Sequence, residues 1–228
     1  SSPRLKMDHE KFGAKTYLLL PPVPEAFFEV IKNNNKETIT IAYIGRISRD
    51  KGLKKLINIF NEIASKIPNI KVIIYGYHAL KNTEARQLEE KLCSLKNIKY
   101  LSGSIDASTS SEKNVLSVLK EVDILILPYN ELSGKTVDVP LLLLEAMACS
   151  CVVLTTPVGD LPSIMDDELL IADSEKDILS KLEILVRNRS ILYTKKKLVF
   201  ERIRSMNVLQ TKIGDMFLEI LEENKATN

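Results

Sequence analysis

Tryptophan is absent from this chain, histidine occurs twice and cysteine three times. With only His9 and His78 available, histidine-based acid–base or metal chemistry has little material, and His78 is expected to be an ordinary loop residue. Cys149 and Cys151 stand two apart, a spacing that suits a pair of metal ligands, but no second Cys or His pair completes a set. They are expected to be small buried hydrophobes, and their usage fits a reducing, cytoplasmic compartment. A dominant charge is lacking too: 32 Lys and Arg face 30 Asp and Glu, a net of +2. Such a balance gives no overall field for nucleic acid or an anionic membrane, so any anion site must be local. No signal-peptide pattern is present. The one long apolar run, VPLLLLEAMACSCVVLTTPV (139–158), has the length of a membrane span. Glu145 near its middle would cost about 3 kcal/mol in a bilayer, so a helix followed by a strand is the better reading. Three further patterns are missing: the phosphate loop G-x-x-x-x-G-K-[ST], G-x-G-x-x-G after the first strand, and Asp-x-Asp.

What is present is a regular alternation. ITIAYI (39–44), IKVIIYG (70–76), IKYLSG (98–103), DILILP (123–128), CVVLTT (151–156) and ELLIA (168–172) are short apolar runs of strand length. Between them lie helical patterns. The first carries Leu53, Leu56, Ile57, Phe60, Ile63, Ala64 and Ile67, the second Leu88, Leu92 and Leu95. A third covers about 111–121 and a fourth runs from Pro140 to about Cys149. Strands that are apolar on both sides, alternating with helices, imply an α/β fold: a doubly wound, mostly parallel sheet of about six strands. From Ser174 onward the chain is mainly helical, with Ser174 and Asp177 as a helix start. A last helix carries Leu209, Ile213, Met216, Phe217, Ile220 and Leu221 on one stripe before a fraying tail, ENKATN. The organisation expected is an N-terminal segment and connector over 1–38, including the extended LLLPPVP (18–24), a Rossmann-like domain over 39–205, and a C-terminal helix and tail over 206–228.

In open parallel sheets ligands bind beyond the carboxyl ends of the strands. Gly45 and Arg46 end the first strand, Gly76 the second, Gly103 the third, and Pro128 with Tyr129 the fourth. The junction GRISRDKG (45–52) places Arg46 and Lys51 between a buried strand and a helix N-terminus, where backbone N–H groups also favour an anion. Taken alone, that stretch reads more readily as a loop with solvated charges, as most such runs are. The helix PLLLLEAMACS (140–150) adds a second feature. Pro140 suits the first helical position, which leaves the amides of Leu141 and Leu142 free at the sheet's mouth. Glu145 lies one turn further in, within apolar surroundings, where a carboxylate needs a partner: a ligand hydroxyl, or a structural cation such as a buried lysine.

The combination of strand, GR-x4-KG, helix, a second strand ending in Gly, and an EAMA helix after LILPY resembles the C-terminal half of retaining GT-B glycosyltransferases, in glycosyltransferase family four, the group 1 family. The resemblance covers residues 39 to about 190. It implies that Arg46 and Lys51 act on the diphosphate of a nucleotide sugar, stabilising the leaving group, and that Glu145 bonds the ribose. It also implies backbone contacts at Leu141 and Leu142 and a base near Ser102, Gly103 and Ser104, while Gly45 and Gly76, at strand ends, let a ligand approach the backbone. The donor would be UDP- or GDP-linked, with no other cofactor and no metal. The acceptor, a glycan or a lipid-linked sugar, would be held by an N-terminal domain. Only 38 residues precede the first strand, so the chain is expected to be the donor-binding half, inactive alone, of an enzyme at the cytoplasmic face of a membrane. Two departures stand out. The family's first glutamate, eight residues before Glu145, is Val137, with Asp138 beside it as a stand-in sugar acceptor. A glycine of the same loop is replaced by Pro140. The altered pair keeps a second possibility open, a non-catalytic subunit of this fold that binds a partner. An unrelated flavodoxin-like domain is opposed by the EAMA helix.

Overall fold

The computed structural model describes residues 6–7, 10–12, 16–32, 36–48, 51–77, 83–95, 98–102, 111–130 and 139–226. Its centre is a parallel sheet of five strands, β1 (Ile39–Arg46), β2 (Ile70–Tyr77), β3 (Ile98–Ser102), β4 (Ile124–Leu127) and β5 (Val152–Thr155). They lie in the order β3-β2-β1-β4-β5. The register pairs Ile39 with Ile70 and runs to Arg46 opposite Tyr77, while Ile41 pairs with Ile124, and Ile124 with Val152. All strands therefore end on one edge, and the order reverses between β1 and β4, where such sheets open a crevice. Every residue from Ile39 to Gly45 is buried, as are all of β4 and β5. Alternation is absent because helices cover both faces.

The helices among the described segments are α1 (Glu25–Phe28), α2 (Leu53–Lys66), α3 (Thr83–Cys93), α4 (Ser111–Glu121), α5 (Leu141–Ala148), α6 (Leu161–Met165), α7 (Glu175–Arg187), α8 (Arg189–Ser205) and α9 (Gln210–Ala226). In α2 the buried positions are Leu53, Leu56, Ile59, Phe60 and Ile63. Ile59, absent from the expected stripe, is fully buried, whereas Ile57 is only partly covered. The turn of the helix against β1 decides between neighbours that periodicity treats alike. α5 is buried almost all round, from Leu143 to Ala148, because it packs between the sheet, α1 and α8. Ser174 Oγ accepts from the Asp177 amide at 3.1 Å and starts α7 as expected.

Two expectations are corrected. The sixth strand is not formed: Glu168–Leu170 is a 3-10 turn, and only Ile171 pairs with the sheet, in a single parallel bridge to Thr155. Asp167 captures the Leu169 amide and closes that turn locally, so the chain has no length left to run as a strand. The last helix is longer than expected, since α9 continues to Ala226, into the stretch ENKATN. Along α9, Ile213, Met216 and Ile220 are half-buried, whereas Phe217 and Leu221 are 52% and 42% exposed. The proline-rich stretch is extended and docked on the molecule: Val23 is fully buried and exchanges backbone bonds with Val208 (2.8 Å) and Gln210 (3.1 Å). Both Cys149 and Cys151 are buried free thiols, and burial pushes both thiol pKa values up.

The opposite, amino edge of the sheet is built on a carboxylate. Asp123, 1% exposed, accepts from the Thr40 amide (2.8 Å), Lys196 Nζ (2.6 Å) and Lys36 Nζ (2.6 Å). Burial, the largest single influence, raises its pKa. The bonds from Lys196, Lys36 and Thr40 outweigh it and hold the carboxyl below the usual carboxylate range. Lys196, itself 4% exposed, is shifted down by burial, against the bond it donates to Asp123. Asp123→Asn should strand the buried Lys196 and destabilise the fold by about 3–5 kcal/mol, checked by urea melts at neutral pH. A depressed carboxyl pKa makes the native contribution fully present above the ordinary value of about 4. That contribution is lost as the pH falls through the lower folded value. Acid titration of stability should therefore be shallower in Asp123→Asn than in the wild type.

Candidate functional site

The carboxyl edge brings together residues from four elements. Arg46 is the last residue of β1, and its backbone is tied down on two sides. Tyr43 Oη, fully buried, donates to the Arg46 carbonyl at 2.7 Å, and the next amide, Ile47, donates to Tyr77 O at 2.8 Å. The β1–β2 ladder thus runs one residue past the strand and fixes where the guanidinium leaves the sheet. Gly45 and Gly76 face each other in this register. A Cβ on Gly76 would stand 2.6 Å from Ile47 Cδ1 and 2.8 Å from Tyr100 Oη, so the strand end is packed as closely as glycine permits.

Lys51 is carried by the turn into α2. Gly52, its neighbour, caps that helix in the left-handed region (φ 73°), and Leu56 donates to its carbonyl at 3.1 Å. A Cβ at Gly52 would fall 1.7 Å from Pro128 O. The turn therefore rests directly on the backbone that leaves β4. The Lys51 ammonium in turn lies over the Tyr129 ring, 4.2 Å from its centroid. Tyr129 is itself 4% exposed, and its carbonyl accepts from Thr156 Oγ1 at 2.8 Å, just beyond β5.

α5 starts at the same edge. Pro140 is not its first residue but its N-cap, extended at φ −66°, ψ 130°, with Leu143 donating to its carbonyl at 3.0 Å. Leu141 and Leu142 become the first two helical residues, whose amides have no acceptor within a helix. The helix therefore starts one residue later than expected. Glu145, one turn down, is 7% exposed. Lys196, the buried lysine among the described residues, is engaged with Asp123 at the far edge of the sheet. Tyr77 connects the parts: burial pushes its phenol pKa up, the Arg46 guanidinium draws it down and the Glu145 carboxylate pushes it up again. Arg46, Tyr77 and Glu145 thus share one electrostatic environment. Chemically the edge offers a guanidinium, an ammonium and two helix N-termini to an anion, with a carboxylate close by to accept from hydroxyls.

Gly45, Arg46, Gly76, Lys51, Leu141, Leu142 and Glu145 all fall at this edge or in the helix that rises to it. Gly103, Ser104 and Asp138 lie outside the described residues, as do Val137 and His78. Among the described residues no group of three His, Cys, Asp or Glu side chains is placed to hold a metal ion. No helix of the described chain is long and apolar enough to cross a membrane.

The sequence matches the family described as "Glycosyl transferases group 1" over residues 38–188. The chain belongs to this family. The fold agrees. The C-terminal domain of a glycosyl transferase group 1 family protein from Francisella tularensis is 20% identical, with a TM-score of 0.62 over 78% of this chain and 96% of that one. Sucrose-phosphate synthase from Thermosynechococcus elongatus is 16% identical, with a TM-score of 0.77 over all of this chain and 58% of its own. The Anabaena protein HepE, solved with UDP and glucose, is 13% identical, with a TM-score of 0.73 over 97% of this chain and 61% of its own. These identities carry the fold, which is the Rossmann-like half of GT-B glycosyltransferases. The chain spans about three-fifths of the length of the last two. No curated protein sequence matches it.

Within this group 1 domain, residues missed from sequence are those that act through shape. Gly52 stands in the quoted junction, but only the approach to Pro128 shows that nothing larger fits. Tyr43, a core residue by pattern, and Tyr77, the residue after a strand-ending glycine, give no signal in the sequence. Gly52→Ala should cost about 2–5 kcal/mol, combining a left-handed alanine with an overpacked contact. It should also shift Lys51 off Tyr129, which a thermal melt and the crystal structure of the variant would check.

Proposed function

We propose that this chain is the donor-binding domain of a retaining glycosyltransferase, taking a nucleoside-diphosphate sugar, UDP- or GDP-linked. The observation that carries this reading is the convergence of Arg46, Lys51 and the start of α5 on one sheet edge, with Glu145 in the same electrostatic environment. The two cations and the helix N-terminus hold the diphosphate and stabilise the charge that builds on it as the sugar departs. Glu145 accepts from the ribose hydroxyls, and Asp138 from the sugar. Gly45 and Gly76 let the ligand approach the backbone, and Gly103 with Ser104 flanks the base. Among the described residues the Ser48 hydroxyl, between Arg46 and Lys51, is buried with no hydrogen-bond partner, as expected of a loop whose polar groups a ligand completes. Structural neighbours solved with UDP and glucose, or with UDP-2-fluoro glucose, support the donor class. The acceptor, a glycan or lipid-linked sugar, is held by a separate N-terminal domain, and transfer takes place at the cytoplasmic face of a membrane.

The test is calorimetric titration of UDP, GDP and ADP. Arg46→Ala and Lys51→Ala should each weaken the diphosphate that binds by about 1.5–3 kcal/mol, the range for bonds to charged groups. Stability should barely change in either variant. Unaltered affinity in both removes the diphosphate reading. Glu145→Gln separates two roles. A ribose acceptor loses about 1–3 kcal/mol of affinity with little change in melting. Half of a structural ion pair loses about 3–5 kcal/mol of stability while the folded fraction binds normally. One observation, Val137 where the family has its first glutamate, favours a second reading, a non-catalytic partner-binding subunit. Absence of binding to all three nucleotides in a folded chain would support it.

A further inference from the structure

We propose that Tyr129 is a positioning residue for the donor site: its ring face holds the Lys51 ammonium where the diphosphate is to lie. The inference rests on the diphosphate reading above. Three observations place the ring and the cation together. Lys51 Nζ stands 4.2 Å from the Tyr129 ring centroid, inside the range of a favourable cation–π contact. The ring is anchored: Tyr129 is 4% exposed, its amide donates to Leu127 O at 2.9 Å, and its carbonyl accepts from Thr156 Oγ1 at 2.8 Å. The backbone under Lys51 is fixed over the same place, because left-handed Gly52 touches Pro128 O so closely that a Cβ there would be 1.7 Å away. The ring and the residue it holds thus come from adjacent pairs, Lys51–Gly52 and Pro128–Tyr129, pressed together by one backbone contact.

The physical consequence is preorganisation. A lysine side chain loses much rotamer freedom when a ligand orders it, and a chain already held loses less on binding. A ring orients an ammonium through its quadrupole and leaves its full charge in place. A carboxylate in the same position would orient the ammonium but also oppose an incoming anion. Tyr129 contributes through its face, so the hydroxyl is dispensable for this role and the aromatic ring is not.

A double-mutant cycle, read by titration of UDP, GDP and ADP into the 228-residue chain, tests this. Tyr129→Leu is expected to weaken nucleoside-diphosphate binding about three- to thirtyfold, the span of cation–π contacts from exposed to desolvated. Tyr129→Phe keeps the ring and should stay within about twofold of the wild type, since the phenyl face still offers the contact. In a Lys51→Met background, Tyr129→Leu should add no further loss. Equal losses in both backgrounds would make Tyr129 a packing residue and overturn the inference while leaving the diphosphate site standing. Wild-type affinity in Lys51→Met alone would instead remove Lys51 from the site, and the inference falls with it. Should Tyr129→Leu fail to fold, the wild-type protein still decides. By NMR, ring current should move the Lys51 side-chain methylene protons upfield of other lysines, and adding the nucleotide that binds should shift them. Lys51 signals at the ordinary lysine position would overturn the proposal.

Discussion

Asp123 is the residue on which the sheet is assembled. It sits at the amino edge, between α4 and β4, and its carboxylate binds the Thr40 amide of β1, Lys196 of α8 and Lys36 of the segment before β1. Its backbone extends the same joint: the amide donates to Thr40 O and the carbonyl accepts from Val152, the first residue of β5. One residue therefore aligns β1, β4 and β5, fixes a helix from the far end of the chain and fastens the entering segment. Lys32 adds to that fastening by donating to the carbonyls of Leu119 and Val122 at the end of α4. A buried carboxylate is stable here because each cation it meets is held by a separate packed element.

The two edges of the sheet use charge differently. At the amino edge lysines turn inward and end on a carboxylate or on helix-end carbonyls. At the carboxyl edge the cations are set by backbone constraints. Arg46 is placed by Tyr43 and by the extended β1–β2 ladder, Lys51 by the Gly52–Pro128 contact and the Tyr129 ring. The rigidity of the first edge is what gives the second its geometry. β1 and β4 start from a common anchor, so their ends lie in a fixed relation and the turn after β1 meets the chain after β4.

Strand and helix positions were legible because apolar runs and helical stripes report burial directly, and burial on both faces left no alternative to a parallel sheet. The ends of elements were less legible. Residues 168–172 carry as much apolar character as β5, yet Asp167 captures a local amide and the chain turns. Pro140 is suited to either of two adjacent cap positions, and its ψ of 130° selects the outer one. In the site, charged residues at strand ends could be named from sequence because charge is costly where strands meet helices. What escaped was contact geometry. Gly52 reads as an ordinary turn glycine until Pro128 O is seen against it, and Tyr129 reads only as the end of a strand until an ammonium is found over its ring. Such pairings join residues about 77 positions apart, and no local pattern encodes them.

On the proposed function, a nearly neutral chain with a locally cationic mouth is selective in a way that a basic protein is not. With a net charge of +2, the molecule exerts little long-range pull on nucleic acid or anionic membrane. Arg46 and Lys51 act only at short range, where helix N-termini reinforce them and the surrounding backbone limits what can approach. A compact dianion such as a diphosphate gains from both cations at once, whereas an extended polyanion meets them as two charges on a balanced surface. Glu145 sharpens the distinction. A carboxylate beside the cations opposes a second anionic group at its position and favours a neutral, hydroxyl-bearing one. On the proposed function, the order of charges across the mouth, cations at the end of β1 and the start of α2 and a carboxylate within α5, is the order a ligand must match. On the proposed reading, that ligand carries its diphosphate at one end of the mouth and its ribose at the other.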